Sequence, residues 1–241
     1  VLGANGGVIP ITYMNSTAAI KALCGRNGGI VCTSSNATAT FEWALTRGEK
    51  ILFLPDQHLG RNTALKFGIG VDEMIIWNPF KPLGGNTEQQ IRDAKVILWQ
   101  GHCSVHTRFT VEQIDAARIK LPGIHIVVHP ECTMEVVQAA DSNGSTEYIL
   151  QMVNNAPAGS IIAVGTEISM VNRLAAANPD KTVFCLDSVV CPCSTMYRIH
   201  PAYVSWVLDG LIEGVVVNQI SVDKETAEQA RLALDRMLAV V

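Results

Sequence analysis

The sequence predicts an α/β protein built from repeated three-layer αβα domains with parallel sheets. Short apolar runs such as Val96-Ile97-Leu98-Trp99 recur along the 241 residues, and an amphipathic helical pattern follows most of them. Strands that alternate with helices form parallel sheets that helices cover on both faces. The pattern falls into two similar halves, so we expect a diverged repeat of one architecture.

The domain boundaries follow from this repeat. We expect one αβα domain over residues 1–108, a second over 109–205, and a helical segment over 206–241 that packs back on the domains. Thr110-Val111-Glu112-Gln113 is a capping box and predicts the start of the first helix of the second half. The last helix is predicted from about Asp223.

Composition excludes several classes of protein. Hydrophobic residues make up 48% of the chain and charged residues 17%, which indicates a packed core. The net charge of −4 has mixed signs, so we expect no nucleic-acid partner, and without an apolar run of about 18 residues we expect no membrane span. Seven cysteines without a secretory signature predict a cytoplasmic protein with thiol or metal chemistry.

Cys103 and His106 follow the buried run Val96-Ile97-Leu98-Trp99. In an open α/β sheet, ligands bind outside the carboxyl ends of the strands, so both residues are candidates for the site. Their spacing suits a shared zinc ion, a Cys–His nucleophilic pair, or a metal ligand beside an acid/base group. A half-buried thiol with a loop histidine is the structural alternative.

Cys191-Pro192-Cys193 ends another predicted strand region. Pro192 fixes φ and suits a loop that holds a thiolate in one direction. Because two cysteines one residue apart rarely bind one metal together, we expect one ligand from this pair. Together with Cys103, it could contribute to an iron–sulfur cluster with one open iron.

His129-Pro130-Glu131 pairs an imidazole with a carboxylate at a strand end. The two side chains point the same way if the strand continues, because side chains alternate along a strand. Such a pair suits carboxylate binding by His129 and proton transfer by Glu131. A solvated surface turn is the alternative.

Tyr13 and Asn15 also alternate at a strand end, where Tyr can donate a proton and Asn can bind a carboxylate. Ser34 and the pair Ser145-Thr146 precede predicted helices, whose free N–H groups favour an anion. Each of these polar residues could equally be a helix cap. Several such positions together favour a ligand with more than one carboxylate or phosphate.

Seven stretches, in order along the chain, resemble the motifs of the quinolinate synthase family. They are Tyr13-Met14-Asn15-Ser16-Thr17, Cys32-Thr33-Ser34-Ser35-Asn36-Ala37, Pro55-Asp56-Gln57-His58-Leu59-Gly60, Gly101-His102-Cys103-Ser104-Val105-His106, His129-Pro130-Glu131-Cys132, Gly144-Ser145-Thr146 and Cys193-Ser194-Thr195-Met196-Tyr197-Arg198-Ile199.

The resemblance implies three similar αβα domains around a pseudo-threefold axis with one active site between them. The two halves found here then match the central and C-terminal domains, and we expect the N-terminal domain to be missing from this chain. The implied activity is that of a transferase. It condenses iminoaspartate (iminosuccinate) with dihydroxyacetone phosphate to give quinolinate in de novo NAD biosynthesis, with a functional link to L-aspartate oxidase.

The implied cofactor is a [4Fe–4S] cluster held by three cysteines, with an open iron that acts as Lewis acid. Cys103 and Cys193 match two ligands, and Cys193 is preferred over Cys191 because it fits the family's Cys-x-x-Met pattern with Met196. The third ligand lies upstream of the Tyr-x-Asn motif in the family, but none of the twelve residues before Tyr13 is a cysteine. His106 and Met196 are implied to support the cluster without binding it.

The resemblance also implies the substrate contacts. Tyr13 and Glu131 are the implied proton-transfer residues. The full set of implied substrate-binding residues is Tyr13, Met14, Asn15, Ser34, His129, Pro130, Glu131, Ser145 and Thr146.

Two other functions fit the same residues. One is a zinc-dependent lyase or hydrolase that uses Cys103, His106 and Cys193. The other is a catalytically silent protein that retains a dicarboxylate pocket.

Overall fold

The computed structural model describes residues 7–189 and 193–240 and contains two parallel sheets between layers of helices. The predicted α/β class is therefore confirmed. The strands are β1 (Val8–Tyr13), β2 (Ile30–Cys32), β3 (Lys50–Leu54), β4 (Met74–Trp77), β5 (Val96–Trp99), β6 (His125–Val128), β7 (Ser142–Asn143), β8 (Ile161–Gly165) and β9 (Thr182–Cys185).

Ten α-helices connect and follow these strands in the described ranges. They are α1 (Ala18–Arg26), α2 (Ala37–Leu45), α3 (Gln57–Lys66), α4 (Glu88–Asp93), α5 (Val111–Lys120), α6 (Met134–Ala139), α7 (Thr146–Asn155), α8 (Ile168–Ala177), α9 (Pro201–Ile212) and α10 (Lys224–Ala239). Short 3₁₀ turns complete the connections, including His106–Arg108 directly after β5.

The first sheet has the strand order β2-β1-β3-β5-β4, and every pair is parallel. Because crossovers between parallel strands are right-handed, the reversals in this order place helices on both faces. Helices α2 and α3 pack together, as α1 does with α10. Val96, Ile97 and Leu98 of β5 are fully buried, as a strand covered on both faces requires.

The second sheet has the order β7-β6-β8-β9 and is also fully parallel. Helices α5 and α6 pack together, and so do α7 and α8. Two buried clusters occupy this half, one with Ile114 of α5 and one with Ile149 of α7. Each of the two halves predicted from the sequence therefore contains its own parallel sheet.

Side-chain caps set where several helices begin. The predicted capping box at Thr110 is confirmed: its hydroxyl accepts from the Gln113 N–H, and the Gln113 side chain accepts from the Thr110 N–H. Asp223 caps α10 by accepting from the Thr226 N–H at 2.9 Å. The last helix therefore begins where the sequence predicts.

The C-terminal helix α10 packs against α1 and β2 of the first half. Nη1 of Arg236 donates to the carbonyl oxygen of Gly29 at 2.6 Å, and a Cβ added at Gly25 would lie 1.8 Å from the carbonyl oxygen of Gln229. In contrast, α9 exposes large apolar side chains such as Trp206 and Ile212.

The domain boundaries at 108 and 205 stay a prediction.

Every helix in residues 7–189 and 193–240 is too short or too polar to span a bilayer.

The packing of α1 on α10 predicts the effect of a small substitution. Gly25→Ala would ordinarily stabilise a helix by up to about 1 kcal/mol. Here the added methyl group meets the backbone of Gln229, so we expect the free energy of unfolding to fall by about 1–3 kcal/mol. Urea denaturation followed by tryptophan fluorescence measures the change.

Gly7→Ala is the matched control, because a Cβ at Gly7 meets no atom within 4 Å. A Gly25→Ala protein at least as stable as the parent would contradict the close packing of α10 on α1.

Candidate functional site

The candidate site lies where loops at the carboxyl ends of the two sheets meet. Cys103 and His106 follow β5 of the first sheet, whereas Glu131 follows β6 and Thr166 follows β8 of the second. Nδ2 of Asn62, on α3, crosses between the halves and donates to the carbonyl oxygens of Pro130 and Cys132 at 2.8 and 2.9 Å. The strand-end placement predicted from sequence therefore brings residues of both halves together.

Cys103, His106 and Glu131 form the centre of this site. Their ligand atoms all lie within 4.8 Å of one another. His106 and Glu131 are buried, and Cys103 is half-buried. Nδ1 of His106 lies 2.8 Å from Oε2 of Glu131, at an angle that departs from that of a hydrogen bond. Nε2 of His106 lies 3.1 Å from the Thr166 hydroxyl, which orients the ring.

His129 stacks on His106, with ring centroids 4.5 Å apart and planes inclined by 17°. Nδ1 of His129 accepts a hydrogen bond from the Glu131 backbone N–H at 3.3 Å. A ring nitrogen that accepts cannot carry the proton, so the proton of neutral His129 is on Nε2. The strand ends at Val128, so a turn, not strand alternation, brings His129 and Glu131 together.

The two histidines differ in the charge that their surroundings favour. Burial alone would lower the pKa of His106, but the Cys103 thiol and the Glu131 carboxylate raise it to about 9. Burial and the charge of His106 lower the pKa of His129 to about 4. Burial alone would raise the pKa of Glu131, yet the close approach of His106 and the electrostatic effect of both imidazoles hold it below its usual range. The site thus favours a charged His106, a neutral His129 and an ionised Glu131.

Tyr13 approaches this cluster from the end of β1. Burial, together with the charge of Glu131, raises the pKa of Tyr13 to about 12, while the hydrogen bond with the Ser34 side chain opposes the rise. Ser34 follows β2, the neighbour of β1 in the sheet. The phenol is therefore protonated at neutral pH and lies within electrostatic range of the carboxylate.

The other predicted site residues are exposed or make structural contacts. Met14 and Asn15 are exposed in the turn after β1. Ser145 caps α7 by accepting from the Tyr148 N–H at 3.2 Å, so it has the role of a helix cap. Thr146 is the first residue of that helix and is exposed. The carbonyl oxygen of Pro130 accepts from Asn62.

Cys193 is half-buried and lies outside the group of close ligand atoms found among the described residues. Its sulfur accepts from the N–H of Met196 at 3.5 Å, and Met196 itself is exposed. Cys191 lies outside the described residues. The structure therefore brings one of the two predicted thiolates to the centre.

Four buried polar residues contribute to the site without having been predicted as site residues. Asp56 accepts from the Cys103 N–H, Thr166 contacts His106, and Asn62 holds the loop after β6. Asp187 accepts two hydrogen bonds from the Arg108 guanidinium at 3.0 and 3.1 Å. Three of them (Asp56, Thr166 and Asp187) follow strands, which is the signal that could have identified them.

Comparisons with known proteins place this geometry in a family. The family model of the quinolinate synthetase A protein matches residues 4–239. The chain belongs to the quinolinate synthetase A protein family. It is 61% identical over 234 residues to the quinolinate synthase of Corynebacterium glutamicum, and 58% identical over 245 residues to that of Acidobacterium capsulatum. The resemblance identified from seven motifs is confirmed.

These matches cover 97% and 100% of this chain but 59% and 66% of the two relatives. The chain therefore spans about three-fifths to two-thirds of the length of the curated quinolinate synthases that it matches.

The donor set of this family member fits a metal centre that includes a thiolate. Nδ1 of His106 is buried without an aligned hydrogen-bond partner, next to a half-buried thiol and a buried carboxylate. Thiolate, imidazole and carboxylate are the protein ligands of zinc and iron, whereas a [4Fe–4S] cluster takes thiolates. Within this group, Cys103 suits both a single zinc or iron ion and a [4Fe–4S] cluster.

The hydrogen bonds from the Asn62 amide to the loop after β6 allow a prediction about stability. Asn62→Asp is close to isosteric but cannot donate, so the carbonyl oxygens of Pro130 and Cys132 lose their partner beside a buried charge. We expect the free energy of unfolding to fall by about 2–4 kcal/mol, measured by urea denaturation.

Asn78→Asp is the control, because the Asn78 side chain accepts from the Phe80 N–H and an aspartate can still accept. Equal stability of the Asn62→Asp and Asn78→Asp proteins would argue against a structural role for the inter-sheet contact.

Proposed function

We propose that the protein that contains this chain is a quinolinate synthase, a transferase that condenses iminoaspartate with dihydroxyacetone phosphate in NAD biosynthesis. The observation that carries the proposal is the convergence of Tyr13, Cys103, His129 and Glu131 in a chain that matches the family model over residues 4–239. We further propose that it acts in the cytoplasm on iminoaspartate supplied by an L-aspartate oxidase.

The proposed cofactor is a [4Fe–4S] cluster that Cys103 and Cys193 help to hold. When bound, the cluster supplies an open iron that acts as Lewis acid toward the substrate. We assign no third thiolate among residues 1–241. His106 is proposed to support Cys103 from a ring position beside the Cys103 sulfur, without binding the cluster itself.

The proposed binding residues suit carboxylate and phosphate groups. Neutral His129 carries its proton on Nε2 and can donate to a substrate carboxylate. Ser145 and Thr146 lie at the beginning of the ten-residue helix α7, where free N–H groups and the helix dipole favour an anion. Met14, Asn15, Ser34 and Pro130 complete the proposed contacts.

Glu131 and Tyr13 are proposed to move protons in opposite directions. Glu131 is ionised, so it can accept a proton from a substrate carbon or nitrogen. Tyr13 is protonated, so it can donate a proton to an oxygen that leaves as water. The opposite shifts of the two groups give each one a defined role at neutral pH.

A second candidate is the zinc-dependent lyase or hydrolase. It is favoured by the mixed donor set of Cys103, His106 and Glu131, because zinc binds thiolate, imidazole and carboxylate together. Metal analysis separates the two candidates, since only an iron–sulfur enzyme contains acid-labile sulfide.

The cysteine proposed as ligand gives the first functional prediction. In the complete gene product, reconstituted without oxygen, we expect Cys103→Ser to lose most of its iron and sulfide, because a hydroxyl is a poor ligand for a cluster. Quinolinate formation should fall more than about 100-fold, since even residues behind the ligands contribute 10–100-fold. Iron and sulfide assays and product chromatography provide the measurements.

Cys185→Ser, at a half-buried cysteine outside the group of close ligand atoms, is the control and should retain both the cluster and quinolinate formation. Zinc without sulfide in the parent protein would support the second candidate. Full cluster content in Cys103→Ser would refute Cys103 as a ligand.

The proton-transfer residues give the next prediction. We expect Tyr13→Phe and Glu131→Gln each to lower kcat by about 10²–10⁴-fold, because each removes a general acid or base. Iron content and absorbance should stay at the parental level in Tyr13→Phe, which leaves the ligand group intact.

Tyr203→Phe and Glu228→Gln change exposed residues of α9 and α10 and serve as controls. A parental kcat in Tyr13→Phe would eliminate the phenol as proton donor.

A further inference from the structure

The side chain of Asp56 connects two loops of the first sheet. Asp56 follows β3 and is 5% exposed. Its Oδ1 atom accepts from the Leu59 N–H at 2.8 Å and caps α3, whereas its Oδ2 atom accepts from the Cys103 N–H at 2.9 Å. One carboxylate thus serves both the helix after β3 and the loop after β5.

The backbones of the same two loops are also in direct contact. The Gln57 N–H donates to the carbonyl oxygen of Gly101 at 2.9 Å. A Cβ added at Gly101 would lie 2.1 Å from the carbonyl oxygen of Pro55, so only glycine permits this approach. Asp56 therefore acts within a contact that already holds the two loops at backbone distance.

Capping alone does not explain a carboxylate at this position. The hydroxyls of Thr110 and Ser145 cap α5 and α7 with one oxygen, and they avoid the cost of burying a charge. A carboxylate at Asp56 bears that cost and gains a second acceptor, which points at Cys103. The second oxygen is the feature that a hydroxyl cannot supply.

We propose that Asp56 is a positioning residue that fixes the Cys103 loop, and with it the direction of the Cys103 sulfur toward His106 and Glu131. The hydrogen bond restrains the Cys103 backbone, and the restraint lowers the entropy that the ligand loses when it binds metal. The role rests on the proposed function only in that Cys103 is taken as a metal ligand.

Two variants test the role of the second oxygen. Asp56→Asn keeps the shape but replaces one acceptor by an amide NH₂, so one of the two hydrogen bonds is lost. Asp56→Ser keeps an oxygen for the α3 cap and removes the acceptor of Cys103. In the metal-free protein, we expect hydrogen–deuterium exchange at the Cys103 amide to become about tenfold faster or more in Asp56→Ser.

The metal provides a second readout. After anaerobic loading with ferrous iron and sulfide, we expect the concentration of chelator needed to remove half of the iron to fall by about 10–100-fold in Asp56→Ser. Asp223→Asn is the matched control, because Asp223 caps α10 at an exposed position and should leave both readouts unchanged. Gly101→Ala disturbs the same contact from the other loop and should act like Asp56→Ser.

Each outcome has a defined meaning. Parental exchange at the Cys103 amide in both Asp56 variants would overturn the proposal. If exchange becomes faster but iron retention stays at the parental level, Asp56 stabilises the loop without affecting metal binding by Cys103. That result would also overturn the proposal. If the parent protein binds iron but forms no quinolinate, the proposed function fails, whereas the exchange and iron readouts still test Asp56.

Discussion

The site depends on the contacts that the buried imidazole of His106 makes with residues of the second half. It belongs to the loop after β5, yet its partners Thr166, Glu131 and His129 all follow strands of the second sheet. Burying a charged imidazole is costly, and the Thr166 hydroxyl and the Glu131 carboxylate of the second half reduce that cost. The same ring lies beside Cys103, so the relative placement of the two sheets bears on the surroundings of the Cys103 thiol.

The charges in this site are consistent with one another. A protonated His106 beside an ionised Glu131 lets His129, stacked on His106, remain neutral, because a second positive charge at 4.5 Å would be unfavourable. The ionised Glu131 in turn disfavours a phenolate at Tyr13. Burial and a few close neighbours therefore account for the charge that each of these groups favours.

Local signals allow the sequence to predict the strands, the capping box at Thr110 and several residues at strand ends. Thr110 and Asp223 cap helices through residues three positions away, and such short-range contacts are visible in the pattern. Asp56 and Asn62 were missed because their partners lie 47 and 68 residues away, a separation that no local pattern encodes. The period-two argument for His129 and Glu131 brought the right residues together for the wrong reason, since a turn replaces the strand.

Helix α3 carries two of the residues that the sequence analysis missed, Asp56 at its N-cap and Asn62 within it. Asp56 at its N-cap holds the Cys103 loop, and Asn62, six residues further on, holds the loop that carries Glu131. At about 1.5 Å of rise per residue, the helix sets these two anchors about 9 Å apart along its axis. Gly60 lets the helix lie directly on Phe53 and Leu98, where a Cβ would come within 2.7 Å of either side chain. Because a packed helix deforms little, α3 restrains the distance between the Cys103 thiol and the Glu131 carboxylate.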